Sequence, residues 1–140
     1  TRGHICIYEE EDEILFAGCI VRESGTTAIQ AVPGQYGNMA DFLRSLYKVK
    51  SLKIKRLLQS HGNEVKDPYK KIEDTIQSKL AKERQLLQVL EEGKKTPLEL
   101  ANKVYKKGLL YYTYGTVLAH LEKLKNEGKV KEENKYYGIV

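Results

Sequence analysis

The chain has 140 residues, enough for one ordinary domain or two small ones. No apolar run approaches the roughly 18 residues of a membrane span, so a membrane-embedded function is excluded from the reading. The net charge of +5 is unevenly placed: residues 1–67 hold 9 basic and 9 acidic side chains, and residues 68–140 hold 15 and 10. A neutral first half beside a basic second half predicts two modules, 1–67 and 68–140, the second able to meet an anion such as RNA. The plainer reading of the same excess is a solvated lysine-rich surface. Two cysteines among many Lys and Glu side chains point to a reducing, cytoplasmic setting. Thr1 runs straight into Gly3-His4-Ile5-Cys6, which is expected of a chain cut from a longer one.

Ile5 to Glu9 and Ile14 to Cys19 alternate apolar and polar residues, and the acidic run Glu10-Glu11-Asp12-Glu13 separates them. This predicts a β-hairpin. Pairing about the middle of the turn sets Glu9 against Ile14 and His4 against Cys19. Residues 20–37 read as a long irregular stretch. Asn38 then opens a helix with Met39, Phe42, Leu43, Leu46 and Tyr47 at helical spacing. Lys53 to Gln59 reads as a short buried strand that runs into Ser60-His61-Gly62.

Asp67-Pro68 is a strong helix start, and a stripe of Ile72, Ile76, Leu80, Leu87 and Leu90 continues to Gly93. Thr96-Pro97-Leu98-Glu99 spells a capping box. Its helix is expected to stop at Gly108. A third helix, capped by Thr113, carries Val117, Leu118, Leu121 and Leu124 and stops at Gly128. Two strands, Lys129 to Glu132 and Lys135 to Ile139, follow around Glu133-Asn134. Three helices and then a hairpin is the order of a winged helix.

Three side chains with metal affinity fall at strand ends or loops of the first half: His4, Cys19 and His61. Imidazole and thiolate together suit zinc, which typically takes four ligands. Lone histidines and buried cysteines are more often structural. His120 and the aromatic residues Tyr111, Tyr112, Tyr114, Tyr136 and Tyr137 also read more readily as packing residues than as ligands or base-stacking platforms.

Gly3-His4-Ile5-Cys6-Ile7-Tyr8 resembles the third metal-binding segment of metallo-β-lactamase-fold enzymes, where a Gly-His opens a strand. Leu15-Phe16-Ala17-Gly18-Cys19 resembles the fourth, and Ser60-His61-Gly62 the last. The three occur in the order found in that family, and the appended winged helix resembles the branch of the β-lactamase-like protein 2 endoribonucleases. The resemblance implies an α+β chain: the C-terminal part of a metallo-β-lactamase αββα fold, then a winged helix. It implies a zinc-dependent hydrolase with two metals in the complete parent, where His4 binds the first and Cys19 and His61 the second. Most of the family has Asp where Cys19 stands. The family's His-x-His-x-Asp-His segment does not occur in these 140 residues. The reading is therefore of a chain that holds no complete catalytic set, is inactive alone and is without a filled zinc site, its partner being the N-terminal part of the same fold.

A non-catalytic alternative makes the winged helix the functional part, as a nucleic-acid-binding or homodimerising module. Lys123, Lys129, Lys131 and Lys135 are the candidate phosphate contacts. The third helix carries no arginine, the commonest specific reader of guanine, so sequence-specific DNA binding is disfavoured.

Overall fold

The computed structural model describes the backbone of residues 3–105 and 110–140. Among them the order is β1 (Ile7–Glu9), β2 (Ile14–Gly18), α1 (Met39–Lys50), β3 (Arg56–Gln59), α2 (Pro68–Glu91), α3 (Pro97–Val104), α4 (Leu110–Asn126), β4 (Val130–Glu133) and β5 (Tyr136–Ile139). This is a mixed α and β chain. It divides into two compact units, one of residues 3–27 and 41–79, the other including residues 28–40 and 80–140.

In the first unit β1 and β2 pair antiparallel in the expected register, with Glu9 opposite Ile14 and Ile7 opposite Phe16. β3 adds in parallel on the other side of β2, giving the order β1-β2-β3. Alternation along β2 buries Leu15 and Ala17 on one face, while Phe16 stays 45% exposed. Leu57, Val65, Leu46, Ile72 and Ile76 are also buried in this unit.

Two strands are shorter than their sequence patterns suggest. β1 begins at Ile7 rather than Ile5 because its ladder with β2 runs only from Glu9 opposite Ile14 to Ile7 opposite Phe16. The Ala17 carbonyl there is taken instead by the Cys6 thiol and by the Ile20 amide. β3 begins at Arg56 rather than Lys53 because the preceding backbone is satisfied elsewhere. The Lys55 amide donates to the Glu13 carbonyl, and the Tyr69 hydroxyl accepts from Ile54 N and donates to Leu52 O.

The second unit is built around Leu86, Leu90, Leu100, Ala101, Val104, Val117, Leu121, Leu124, Val130 and Tyr137. The capping box opens α3 as expected: Thr96 Oγ1 accepts from Glu99 N, and the Glu99 carboxylate accepts from Thr96 N. α3 ends at Val104, with Tyr105 as its cap. Gly108, the expected stop, lies outside the described residues. α4 begins at Leu110, earlier than the expected cap, and Thr113 is buried within it. The wing hairpin pairs Val130 with Ile139 and Glu133 with Tyr136. Asn134 and Lys135 both take positive φ, +51° and +67°, which is the two-residue turn whose twist suits a hairpin. Lys95 adds a third edge, exchanging both backbone hydrogen bonds with Tyr137.

Residues 28–37 belong to this second unit and are not a loose linker. The Ala31 amide donates to the Gly115 carbonyl, and Gln30, 4% exposed, donates from Nε2 to the Tyr112 carbonyl. Gly37 lies so close to the Gln30 backbone that a Cβ there would sit 2.7 Å from its N and O, so this crossing admits no side chain.

Candidate metal centre

The end of the first unit's sheet gathers the metal-affine side chains. β2 ends at Gly18 and delivers Cys19; β3 ends at Gln59 and delivers His61 two residues later. Because the strands run parallel, both ends reach the same edge, and the Ser60 amide donates to the Gly18 carbonyl to fasten them. Cys19 Sγ lies 3.6 Å from His61 Nδ1. His61 is exposed and Cys19 half-buried.

His4 reaches the same edge by a different route. It precedes the short β1, and its Nε2 lies 3.3 Å from the Ala17 carbonyl. Its imidazole sits over Gly18, where an added Cβ would stand 2.4 Å from His4 Cε1. Gly18 has φ +58°, a backbone conformation that favours glycine. The structure thus brings Cys19 and His61 into contact and sets His4 against the residue beside them. Among the described residues no group of three or more His, Cys, Asp or Glu side chains is arranged to hold a metal ion.

Zinc bound tetrahedrally by sulfur at about 2.3 Å and nitrogen at about 2.0–2.1 Å requires the two donors to be about 3.6 Å apart. The Cys19–His61 separation matches that requirement. The same contact also serves as an S–H to imidazole hydrogen bond when no ion is present. The pair therefore fits one half of a zinc coordination sphere, and the remaining donors must come from other groups.

The loops carrying the pair are held by side chains that the sequence pattern does not single out. Gln59 bridges them: its Oε1 accepts from Glu23 N and its Nε2 donates to Asn63 O. Thr27 Oγ1 donates to the Cys19 carbonyl. Lys79, 5% exposed, donates from Nζ to the Thr27 carbonyl at 2.6 Å and to Thr26 Oγ1 at 3.3 Å. Burial pushes this ammonium down from 10.5 to about 8. Burial also pushes the Cys6 thiol up.

In the second unit three of the four candidate phosphate contacts are engaged with carboxylates. Lys123 is 10% exposed and pairs with Glu83 and Glu127; Lys129 pairs with Glu127, and Lys131 with Glu133. His120 is fully buried, with Nδ1 3.7 Å from Glu83. The structure places Lys135 in the wing turn.

A solved metallo-beta-lactamase family protein from Thermus thermophilus superposes on 99% of this chain and 46% of its own, with a TM-score of 0.86 and 27% identity. A family profile described as "Beta-lactamase associated winged helix domain" matches residues 114–138. This is a metallo-β-lactamase-fold chain with a C-terminal winged helix. Among curated proteins of the same superfamily, the "Beta-lactamase-like protein 2 homolog" of Caenorhabditis elegans is 27% identical over 106 residues, covering 75% of this chain and 34% of its own. The "Atrochrysone carboxyl ACP thioesterase" of Aspergillus fumigatus is 28% identical over 91 residues, 65% of this chain and 27% of its own. The metallo-β-lactamase-fold chain described here thus spans less than half the length of each of these relatives. No helix among its described residues is long and apolar enough to cross a membrane, and both cysteines are free thiols.

Proposed function

We propose that this chain supplies the Cys/His part of a two-zinc centre in a hydrolase that acts on RNA or on a thioester. The observation that carries the reading is the contact between Cys19 and His61 across the ends of two parallel strands, at a spacing that fits one zinc ion. Cys19 and His61 would hold that ion. His4, whose imidazole lies against Gly18, would serve the second. Held by these residues, zinc would supply an activated water, with a pKa of roughly 7, and would polarise the scissile group. The chain's own contribution is to hold a thiolate and an imidazole at an exposed sheet edge, where substrate can reach them. The other ligands would come from an N-terminal part of the fold beyond these residues, so the 140-residue chain alone has no hydrolytic turnover. The thioesterase name of one relative supports a thioester; RNA rests on the resemblance of the sequence to the endoribonuclease branch. Fold does not choose between them.

The winged helix takes a structural role in this proposal, packing within its own protein or in a homodimer. The observation favouring this over RNA contact is the engagement of Lys123, Lys129 and Lys131 with glutamates of the same unit. Each would have to exchange a carboxylate for a phosphate.

Zinc titration against a chromogenic chelator tests the metal assignment. The parent chain should compete weakly for one ion, and Cys19→Ser and His61→Ala should each abolish the competition. Equal competition by both variants would remove the assignment.

A further inference from the structure

A buried ammonium is an expensive way to fill space. Lys79 is 5% exposed, and no carboxylate among the described residues offsets its burial. A methionine of similar length would occupy the same volume without the desolvation cost. What the ammonium has instead is a set of oxygen acceptors in one loop, the Thr27 carbonyl and Thr26 Oγ1, with the Phe42 ring 5.8 Å away. That loop follows Cys19. The Thr27 hydroxyl turns back and donates to the Cys19 carbonyl. A continuous polar chain therefore runs from Lys79 on α2, through Thr27, to the backbone of Cys19.

We propose that Lys79 is a positioning residue for Cys19, acting through Thr27 to hold the thiol against His61. This rests on the reading of Cys19 and His61 as metal ligands. The geometry separates two jobs. The Ser60–Gly18 and Ile20–Ala17 hydrogen bonds hold the peptides on either side of Cys19, through Gly18 O and Ile20 N. Thr27 adds an anchor on the Cys19 carbonyl itself, and Lys79 keeps Thr27 in place by binding its carbonyl in turn. The backbone that carries the Cys19 side chain is thereby held before any ion arrives. Preorganisation of this kind is what the hydrogen-bonding partners behind metal ligands provide.

The test uses the 140-residue chain with Cys6→Ser, which leaves Cys19 as its single thiol. The rate at which Cys19 reacts with an aromatic disulfide is measured on metal-free protein. The thiolate-to-cobalt charge-transfer band is then measured with Co²⁺ alone as the probe. Lys79→Met and Thr27→Val should each raise the thiol rate about fivefold, the factor expected for loss of one hydrogen bond. Each should also weaken the cobalt band. Thr27→Ser, which keeps the hydroxyl, should restore both readouts. The double variant should react no faster than the faster single variant, because both changes interrupt one path. If Lys79→Met does not fold, the Thr27→Val and Thr27→Ser pair decides. Folded variants that react within about twofold of the parent would overturn the proposal, as would additive effects in the double variant. A parent chain that shows no cobalt band removes the metal reading, and the thiol rates then decide the role of Lys79 alone.

Discussion

Replacing Lys79 with methionine should change how the stability of the chain depends on pH. Lys79 titrates near 8 in the folded chain against 10.5 when solvated, because burial disfavours its charged form. Between those values the unfolded chain still carries a proton that the folded chain has lost. Stability therefore rises with pH across the window from about 8 to 10.5; the penalty is fully present below it and gone above it. At neutral pH the penalty has an upper bound of roughly 3 kcal/mol. From about pH 7.5 to 9.5, relief of the penalty should stabilise the parent by roughly 1–2 kcal/mol relative to Lys79→Met. Cys6, raised above 9.0, and Tyr105 and Tyr137, raised to about 12, act in the opposite sense, because the folded chain keeps protons there that the unfolded chain loses. They are common to both proteins, so the difference between parent and variant isolates Lys79. Urea unfolding of both at several pH values is the assay. A difference that stays constant with pH, or that shrinks the parent's relative stability as pH rises, would refute the account of Lys79 as a desolvated cation.

Four further outcomes follow from packing. Leu121→Ala removes a fully buried side chain from the core of the winged helix and should cost about 2–5 kcal/mol, read from the unfolding midpoint. Lys123→Met leaves the Glu83 carboxylate, 7% exposed, without its main ion partner and should cost about 3–5 kcal/mol; the double change Lys123→Met with Glu83→Gln should recover part of this. Thr96→Ala breaks the capping box and should cost about 0.5–2 kcal/mol. On β2 the two faces should respond differently. Leu15→Ala should cost about 2–5 kcal/mol, whereas Phe16→Thr, on the exposed face, should stay within about 0.5 kcal/mol.

The hairpin and its register could be read from the sequence because the alternating runs and the acidic turn fix one pairing. The capping box of α3 and the wing hairpin were equally legible, since each depends on residues within a few positions of one another. The contact between Cys19 and His61 depends on β3 lying parallel beside β2, a relation between residues some forty positions apart. Only the resemblance to a known family suggested it. The roles of Gln30, Gln59 and Lys79 were not legible at all. Each depends on backbone groups that the fold brings to a polar or charged side chain. The start of α4 was misplaced for a related reason: Thr113 has the chemistry of a cap, but here it is buried inside the helix. The ends of β1 and β3 were overestimated because side-chain and loop hydrogen bonds replace the ladder there, which alternation of residue types does not reveal.

X-ray absorption at the zinc edge, on the zinc-loaded 140-residue chain, tests the central claim most directly. The account predicts one sulfur neighbour at about 2.3 Å with nitrogen or oxygen at about 2.0–2.1 Å, and loss of the sulfur shell in Cys19→Ser but not in Cys6→Ser. A shell of nitrogen and oxygen only, or a sulfur signal that persists in Cys19→Ser, would contradict it.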